Sequence, residues 1–362
     1  MNMENKIARI KNSSRAISIA LGLLVAAGVG YLYFKRESPT VNAPVVSQGT
    51  PETANNPGGA ANPAAAANPA APRVTTGPAA GVYMRGGEYE ASGVIQVPGT
   101  DYLLVVDDDS SGAVFLMQID QAGNQVGNLR FLPLGVTVHN PEAITFDGSY
   151  FYVVGSQASP KRGALNSIAR FTFDPNSQSV RNAEVIPNFR QVLFARVAEL
   201  RGEGERKGED GGLNIEAIAW DPTQRRLLLG LRSPIPAGNA LIVPIKLRDQ
   251  AGRFSADNLQ TEAPIRLALG GQGIRDLHYD SKLKSFLIIS GAPENQRKSD
   301  FLLWQWDGSA SPRQFNQNAV LDREMKPEGI AQVKMGDREW IFIVGDDSRY
   351  LNMEYPTAPA AQ

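Results

Sequence analysis

One phrase of sequence, repeated along the chain, limits what it can fold into. In residues 211–245 an acid, Glu216, opens a short apolar strand at 217–220, and Asp221-Pro222 makes a turn. A second apolar strand at 227–231 and a loop opening Arg232-Ser233-Pro234 lead to a third strand at 240–245. Strands of about four to six residues separated by Asp, Pro and Gly turns mark an antiparallel meander. Glu142 leads the same phrase into Phe151-Tyr152-Val153-Val154, Asp276 leads it into Phe286-Leu287-Ile288-Ile289, and Glu328 leads it into Trp340-Ile341-Phe342. A weaker first copy has Ser92-Gly93-Val94 and then Tyr102 to Val106. Short-strand self-similarity at a period of roughly 50 to 70 residues is the signature of a β-propeller, an all-β ring of four-stranded blades.

Five copies predict five blades; six would require a degenerate blade hidden around the insertion described below. The last copy has room for only three strands. The segment near 82–90 is therefore expected to supply the fourth and close the ring, which removes free sheet edges. The propeller is expected over 82–355, with 356–362 as a disordered tail.

Ahead of the repeats, residues 1–16 carry Lys6, Arg9, Lys11 and Arg15 against Glu4 and are expected in the cytoplasm. The run 17–34, ISIALGLLVAAGVGYLYF, is uncharged and ends at Lys35-Arg36. As a helix it would span about 27 Å, close to the roughly 30 Å of a bilayer core. The basic flank predicts a transmembrane anchor with the remainder extracytoplasmic, in the periplasm or at the cell surface. The alternative is a secretory signal cut near Val25-Ala26-Ala27, but the apolar run continues past that point. Residues 38–81, rich in Ala, Pro and Asn, cannot bury enough surface to offset chain entropy and read as a disordered linker.

Within the repeats, 187–201 breaks the strand pattern. Phe189, Val192, Leu193, Val197 and Leu200 recur at three- and four-residue steps after Asn188, a candidate N-cap, which predicts an inserted amphipathic helix. The charged loop 202–212 is expected to be solvated.

Composition excludes several chemistries. Net charge is −1 and no basic run is interleaved with aromatics, so nucleic acid is not an expected partner. There is no cysteine, hence no thiolate nucleophile or disulfide. With only His139 and His278, neither a tri-His metal site nor a His-based triad can be assembled. In a propeller the first strand of each blade lines the channel, so Glu142, Glu216, Asp276 and Glu328 are expected to converge at its mouth. Like charges meeting there need a cation, a ligand or raised pKa values. Hard oxygen ligands favour Ca²⁺ or Mg²⁺. The competing reading makes each acid a staple to backbone N–H groups of the next blade. Asp107, in Asp107-x-Asp109-x-Ser111-Gly112, fits half of a calcium-loop pattern but lacks its twelfth-position Glu, and reads as a polar turn. Asp346 and Asp347 occupy the matching place in the last copy. Arg232 and Arg275, each near a motif acid, would pair with it or bind an anionic ligand.

The chain also resembles a bacterial β-propeller family of unknown function. The resemblance lies in Asn214 to Ala219, Gly230 to Pro234 and Ala240 to Pro244, with Glu328-Gly329-Ile330 and Asp346-Asp347 closing it; Ala217 stands where that family usually has glycine. It implies a looser kinship with phytase-like and esterase-like propellers, whose channel-end carboxylates hold calcium. The expected function is a membrane-tethered module binding a small-molecule ligand or a protein. The alternative is a metal-dependent phosphoesterase or esterase-like hydrolase.

Overall fold

Runs such as Phe151–Gly155 are apolar at every position because both of their faces are covered. A strand in the middle of a blade packs one face on the preceding blade and the other on the next. The computed structural model of the chain describes residues 80–296, 299–309, 311–315 and 320–355. The apolar run 17–34, the linker up to residue 79 and the tail 356–362 lie outside the described residues. Among the described residues no helix is long and apolar enough to cross a membrane.

The described residues form five antiparallel sheets in ring order. A short strand β1 (Val82–Tyr83) is followed by blade one, β2 (Ala91–Gln96), β3 (Tyr102–Asp107), β4 (Ala113–Ile119) and β5 (Gln125–Pro133). Blade two is β6 (Pro141–Phe146), β7 (Phe151–Gly155), β8 (Ile168–Asp174) and β9 (Ser179–Ile186). Blade three is β10 (Asn214–Asp221), β11 (Arg226–Ser233) and β12 (Ala240–Leu247), with β13 (Leu259–Thr261) and β14 (Ile265–Leu267) sharing the outer edge of β12. Blade four is β15 (Gly273–Asp280), β16 (Ser285–Gly291) and β17 (Phe301–Trp306), edged by β18 (Arg313–Gln314) and β19 (Val320–Leu321). Blade five is β20 (Pro327–Met335), β21 (Arg338–Gly345) and β22 (Arg349–Met353), and its fourth strand is β1. Val82 pairs with Tyr350 and Tyr83 with Arg349, so the start of the ring latches onto its end. The architecture is a five-bladed β-propeller.

Five apolar clusters fill the interfaces between successive blades. The one that closes the circle joins Val94 and Val105 of blade one to Ala331, Trp340 and Phe342 of blade five, with Met84 and Tyr89 packed beside them. Full burial of each such side chain contributes about 1.5–3 kcal/mol, so the seam is as well filled as the others. On the face away from the channel mouth, the first hairpin of three blades turns on an aspartate. Asp147, Asp221 and Asp280 each accept backbone N–H groups two and three residues on, at 2.7–3.1 Å, which is the side-chain mimic of a backbone turn.

The insertion departs from expectation in three ways. Its helix α1 (Phe189–Arg196) ends sooner and passes into a 3₁₀ turn at Ala198–Leu200. Asn188 is at the N-cap position but has a left-handed backbone and no side-chain capping bond. The apolar positions Phe189, Leu193, Val197 and Leu200 are buried against blades two and three, as their spacing requires. The loop 202–212, however, is not simply solvated. Arg190, 1% exposed, donates to the carbonyls of Gly204 (2.9 Å), Glu205 (3.1 Å) and Arg206 (2.8 Å), and also to those of Gln157 and Leu213. One guanidinium thus supplies the partners that this loop's backbone would otherwise seek from water.

Candidate functional site at the channel mouth

Each innermost strand breaks register near its start, β10 twice and the others once. In β2 the pairing jumps from Ala91↔Asp107 to Gly93↔Val106, and in β6 from Pro141↔Gly155 to Ala143↔Val154. The same one-residue bulge falls in β10 between Ile215 and Ala217, in β15 between Ile274 and Asp276, and in β20 between Pro327 and Gly329. A bulged residue lies outside the ladder and its side chain is re-aimed. Five equivalent positions are therefore Ser92, Glu142, Glu216, Arg275 and Glu328.

This corrects the expected ring by one residue. Glu142, Glu216 and Glu328 do occupy matching places, but the fourth member is Arg275, not Asp276. In a strand a one-residue slip turns a side chain to the other face. Asp276 instead takes the place held by Gly93, Ala143, Ala217 and Gly329. Those residues are small because inner strands crowd there: a Cβ on Gly329 would lie 2.8 Å from Cα of Gly93. Asp276 is 3% exposed and accepts from the backbone N–H of Ile330 across the blade boundary (2.7 Å), while its second oxygen has no partner. The staple reading thus fits Asp276 alone. Burial pushes its carboxyl well above the usual range.

Arg275 changes the electrostatics of the mouth. Its guanidinium lies 2.8 Å from Glu216 Oε2 and also pairs with Glu328, so one cation from blade four bridges acids of blades three and five. Arg232 donates to Glu216 Oε1 (2.9 Å), and Asn214 donates to the same oxygen (3.0 Å). Arg275, Glu216 and Glu328 are all buried, and opposite charges placed together out of water offset one another's desolvation. Glu142 is left over. It is 7% exposed, has no hydrogen-bond partner among the described residues, and its carboxyl is raised well above the ordinary value by burial, by Glu216 and by Asp108.

Beside this network, between blades four and five, lies a cavity of about 460 Å³. Arg232, Arg275, Arg323, Lys326, Phe301 and Ala292 contribute to its walls, with Glu324, Glu328 and Asp346 as its acids. Lys326 pairs with Asp346 (2.8 Å) and Arg323 more loosely with Asp300 (3.4 Å). A second recess of about 640 Å³ adjoins it through Asp346. Asp107 and Asp347, the strand-end acids placed on one rim by their matching positions, both line this second recess together with Glu90 and Asp109. Carboxylate oxygens of Glu90, Asp108 and Asp109 come within 4.8 Å of one another. Burial, more than the neighbouring acids, pushes Asp107 up to about 6 and Asp108 up to about 8. Asp347 is partly neutralised by Arg349 at 3.1 Å.

Sequence reasoning missed Glu90, Asp108, Arg323 and Lys326. Glu90 and Lys326 stand two residues before Ser92 and Glu328, at the place of Asn140, and Asp108 stands at the place of Ser156 and Asp346. The backbone N–H of the latter place donates to the carbonyl of the former in each of these copies, at 3.0–3.2 Å, so only Arg323 lacks a repeated position. Neither histidine lines the cavity, and burial pulls His278 down to about 4, leaving it neutral near pH 7. The mouth can bind and polarise, but among the described residues it presents no nucleophile held against a base.

A family model described as a protein of unknown function (DUF3616) matches residues 204–346. That stretch contains Glu216, Arg232, Arg275 and Glu328, but not Glu142. No curated protein matches the chain in sequence. Solved structures that align with it include Kuenenia stuttgartiensis hydrazine synthase, at 15% identity and TM-score 0.35, covering 71% of this chain and 65% of that one. A glucose dehydrogenase aligns at 12% identity and TM-score 0.41, covering 76% of this chain and 99% of that one. The PQQ domain of a Coprinopsis cinerea pyranose dehydrogenase aligns at 9% identity and TM-score 0.42, covering 75% and 93%. Likeness at this level carries none of those activities to this chain.

Proposed function

We propose that the chain is a membrane-tethered, extracytoplasmic propeller that binds a small polar ligand in the recess beside its channel mouth. The observation that carries this reading is Arg275, a buried guanidinium that bridges two acids while lining an open cavity of about 460 Å³. Ligand sites are typically concavities of about 300–1,000 Å³ with apolar walls and a few fixed polar groups. A charge held rigidly by its neighbours loses little freedom when a ligand arrives. The tether rests on the apolar run 17–34 with its basic flank, and the partner it implies is the bilayer.

The test uses the full chain in nanodiscs against a charge-diverse library of small metabolites, read by ligand-observed NMR. Ala292→Trp fills the recess without removing any charged group and is expected to abolish the hits. Hits that persist in that variant contradict the assignment. Carbonate extraction of membranes from expressing cells checks the anchor; release of the chain into the supernatant would count against it. If the library gives no hits and a protein captured by the full chain is lost with 187–212, the module binds protein instead.

One observation favours a second reading, a metal-dependent phosphoesterase or esterase-like hydrolase with Ca²⁺ or Mg²⁺. Glu90, Asp108 and Asp109 bring three carboxylate oxygens together, and Asp108 is, after burial and Glu216, one of the causes that raise the carboxyl of Glu142. Oxygen-rich clusters of this kind suit hard cations, which can activate water. Turnover of ester or phosphoester substrates that appears with Ca²⁺ and vanishes with EDTA would favour it; a panel without turnover would leave binding as the function.

A further inference from the structure

The recess has an unequal charge inventory: Arg232, Arg275, Arg323 and Lys326 against Glu324, Glu328 and Asp346. Part of that charge is already committed. Glu328 is paired with Arg275, and Arg232 is held by Glu216 and by the carbonyl of Ala292 at 3.1 Å. Two cations keep donors to spare. Arg323 is 54% exposed and its one ion pair, with an equally exposed Asp300, is 3.4 Å long, a contact worth little in water. Lys326 is 51% exposed and has a single carboxylate partner for its three protons. Deeper in the wall, Nε of Arg275 is buried without a hydrogen-bond partner. The same cavity is also lined by Phe301 and Ala292, which supply apolar surface.

With the partners Glu216 and Asp300 counted, acids about the recess outnumber its cations. The spare donors of Arg323 and Lys326 are therefore what an anion can meet, and a single negative charge suits them better than two. A dianion such as phosphate would meet Glu324, Glu328 and Asp346 in the same walls with no surplus cation to offset its second charge. A carboxylate also matches the planar fork of a guanidinium, which can donate two parallel hydrogen bonds to it. We infer that the recess takes a small monocarboxylate, its carboxylate held by Arg323 and Lys326 and its apolar body lying on Phe301 and Ala292. This inference rests on the ligand-binding reading above and narrows it to one chemical class.

The test is calorimetric titration of the full chain in nanodiscs with benzoate, with acetate, with the neutral analogue benzamide and with inorganic phosphate. Benzoate is expected to bind saturably, more tightly than acetate, and benzamide not at all. Arg323→Gln and Lys326→Gln, both on exposed side chains, are each expected to weaken benzoate binding about tenfold, as fits loss of a charge-assisted hydrogen bond. Their melting temperatures should match the parent, which separates lost binding from lost folding. Benzamide binding as well as benzoate, phosphate binding more tightly, or variants that bind benzoate normally would each overturn the assignment. If the carboxylates fail while a library compound of another class gives hits that Ala292→Trp abolishes, the class is wrong and the ligand-binding reading stands. If no compound of any class binds, both fall.

Discussion

Arg275 Nη1 and Glu216 Oε2 lie 2.8 Å apart, joining neighbouring blades at the centre of the ring, with the two side chains 6% and 5% exposed. The same guanidinium pairs with Glu328 of blade five through its other terminal nitrogen. Lysine offers a compact point charge on a flexible stem and cannot reproduce a fork that reaches two carboxylates. Arg275→Lys is therefore expected to cost about 3 kcal/mol, near the low end for breaking a buried ion pair. A urea midpoint unchanged from the parent would show that the bridge contributes nothing.

Glu142 is the acid that the bridge leaves without a partner. Its carboxyl is raised by burial first and by Glu216 second, so above the ordinary carboxylate range the native state holds more protons than the unfolded chain. Stability then falls as pH rises from that range through the folded value. Glu142→Gln removes the titration. The variant is expected to gain stability relative to the parent between pH 4.5 and pH 8, measured by chemical denaturation at each pH. A difference that is constant with pH would contradict the account.

The same sign applies to Asp107, raised to about 6, and Asp108, raised to about 8. Both cost stability when ionised, so a cation that binds the ionised cluster should be favoured as pH rises. If the cluster holds a metal, Ca²⁺ is expected to raise the melting temperature of the full chain at pH 8 and much less at pH 5, where protons compete. Asp108→Asn should remove the difference. No shift with Ca²⁺ or EDTA at either pH would retire the hydrolase reading.

Arg190 is the organising residue of the insertion. Its donors satisfy backbone carbonyls from Gly204 to Arg206 at 2.8–3.1 Å, and each buried carbonyl left unpaired costs about 1–3 kcal/mol. Arg190→Met is expected to destabilise the chain by about 3 kcal/mol and to open the bonds around Arg206 and Lys207 to trypsin. Arg190→Lys should rescue little of this, since a single ammonium cannot reach the same set. Proteolysis at an unchanged rate would place the order of that loop elsewhere.

Much of the ring was legible from periodicity. The leading phrases gave five blades, and the short final copy predicted that the segment around Val82 would close them, as its pairing with Tyr350 does. Burial of both faces explains why: a strand such as 341–344 must be apolar throughout, and such runs stand out. The helix over 189–196 was legible for the same reason, through Phe189 and Leu193. Register at the bulge of blade four was legible only by counting. Arg275 stands five residues before the turn aspartate Asp280, as Glu142 does before Asp147 and Glu216 before Asp221, whereas matching acid to acid points to Asp276. Arg190 was hidden because a helical wheel assigns an arginine to solvent, whereas here backbone carbonyls solvate it. Glu90 and Asp108 stand at repeated places, those of Asn140 and Ser156, but the residue type changes there from copy to copy, so no shared acid marks them.

The central claim is that Arg275, not Asp276, completes the set of side chains at the mouth and couples blade four to blade five. A double-mutant cycle on Arg275→Gln and Glu328→Gln, read by urea denaturation, tests it most directly. Each single substitution is expected to destabilise, and the double variant to be more stable than the sum of the two by about 0.5–3 kcal/mol. Strict additivity would mean that the two side chains do not meet, and would contradict the arrangement described.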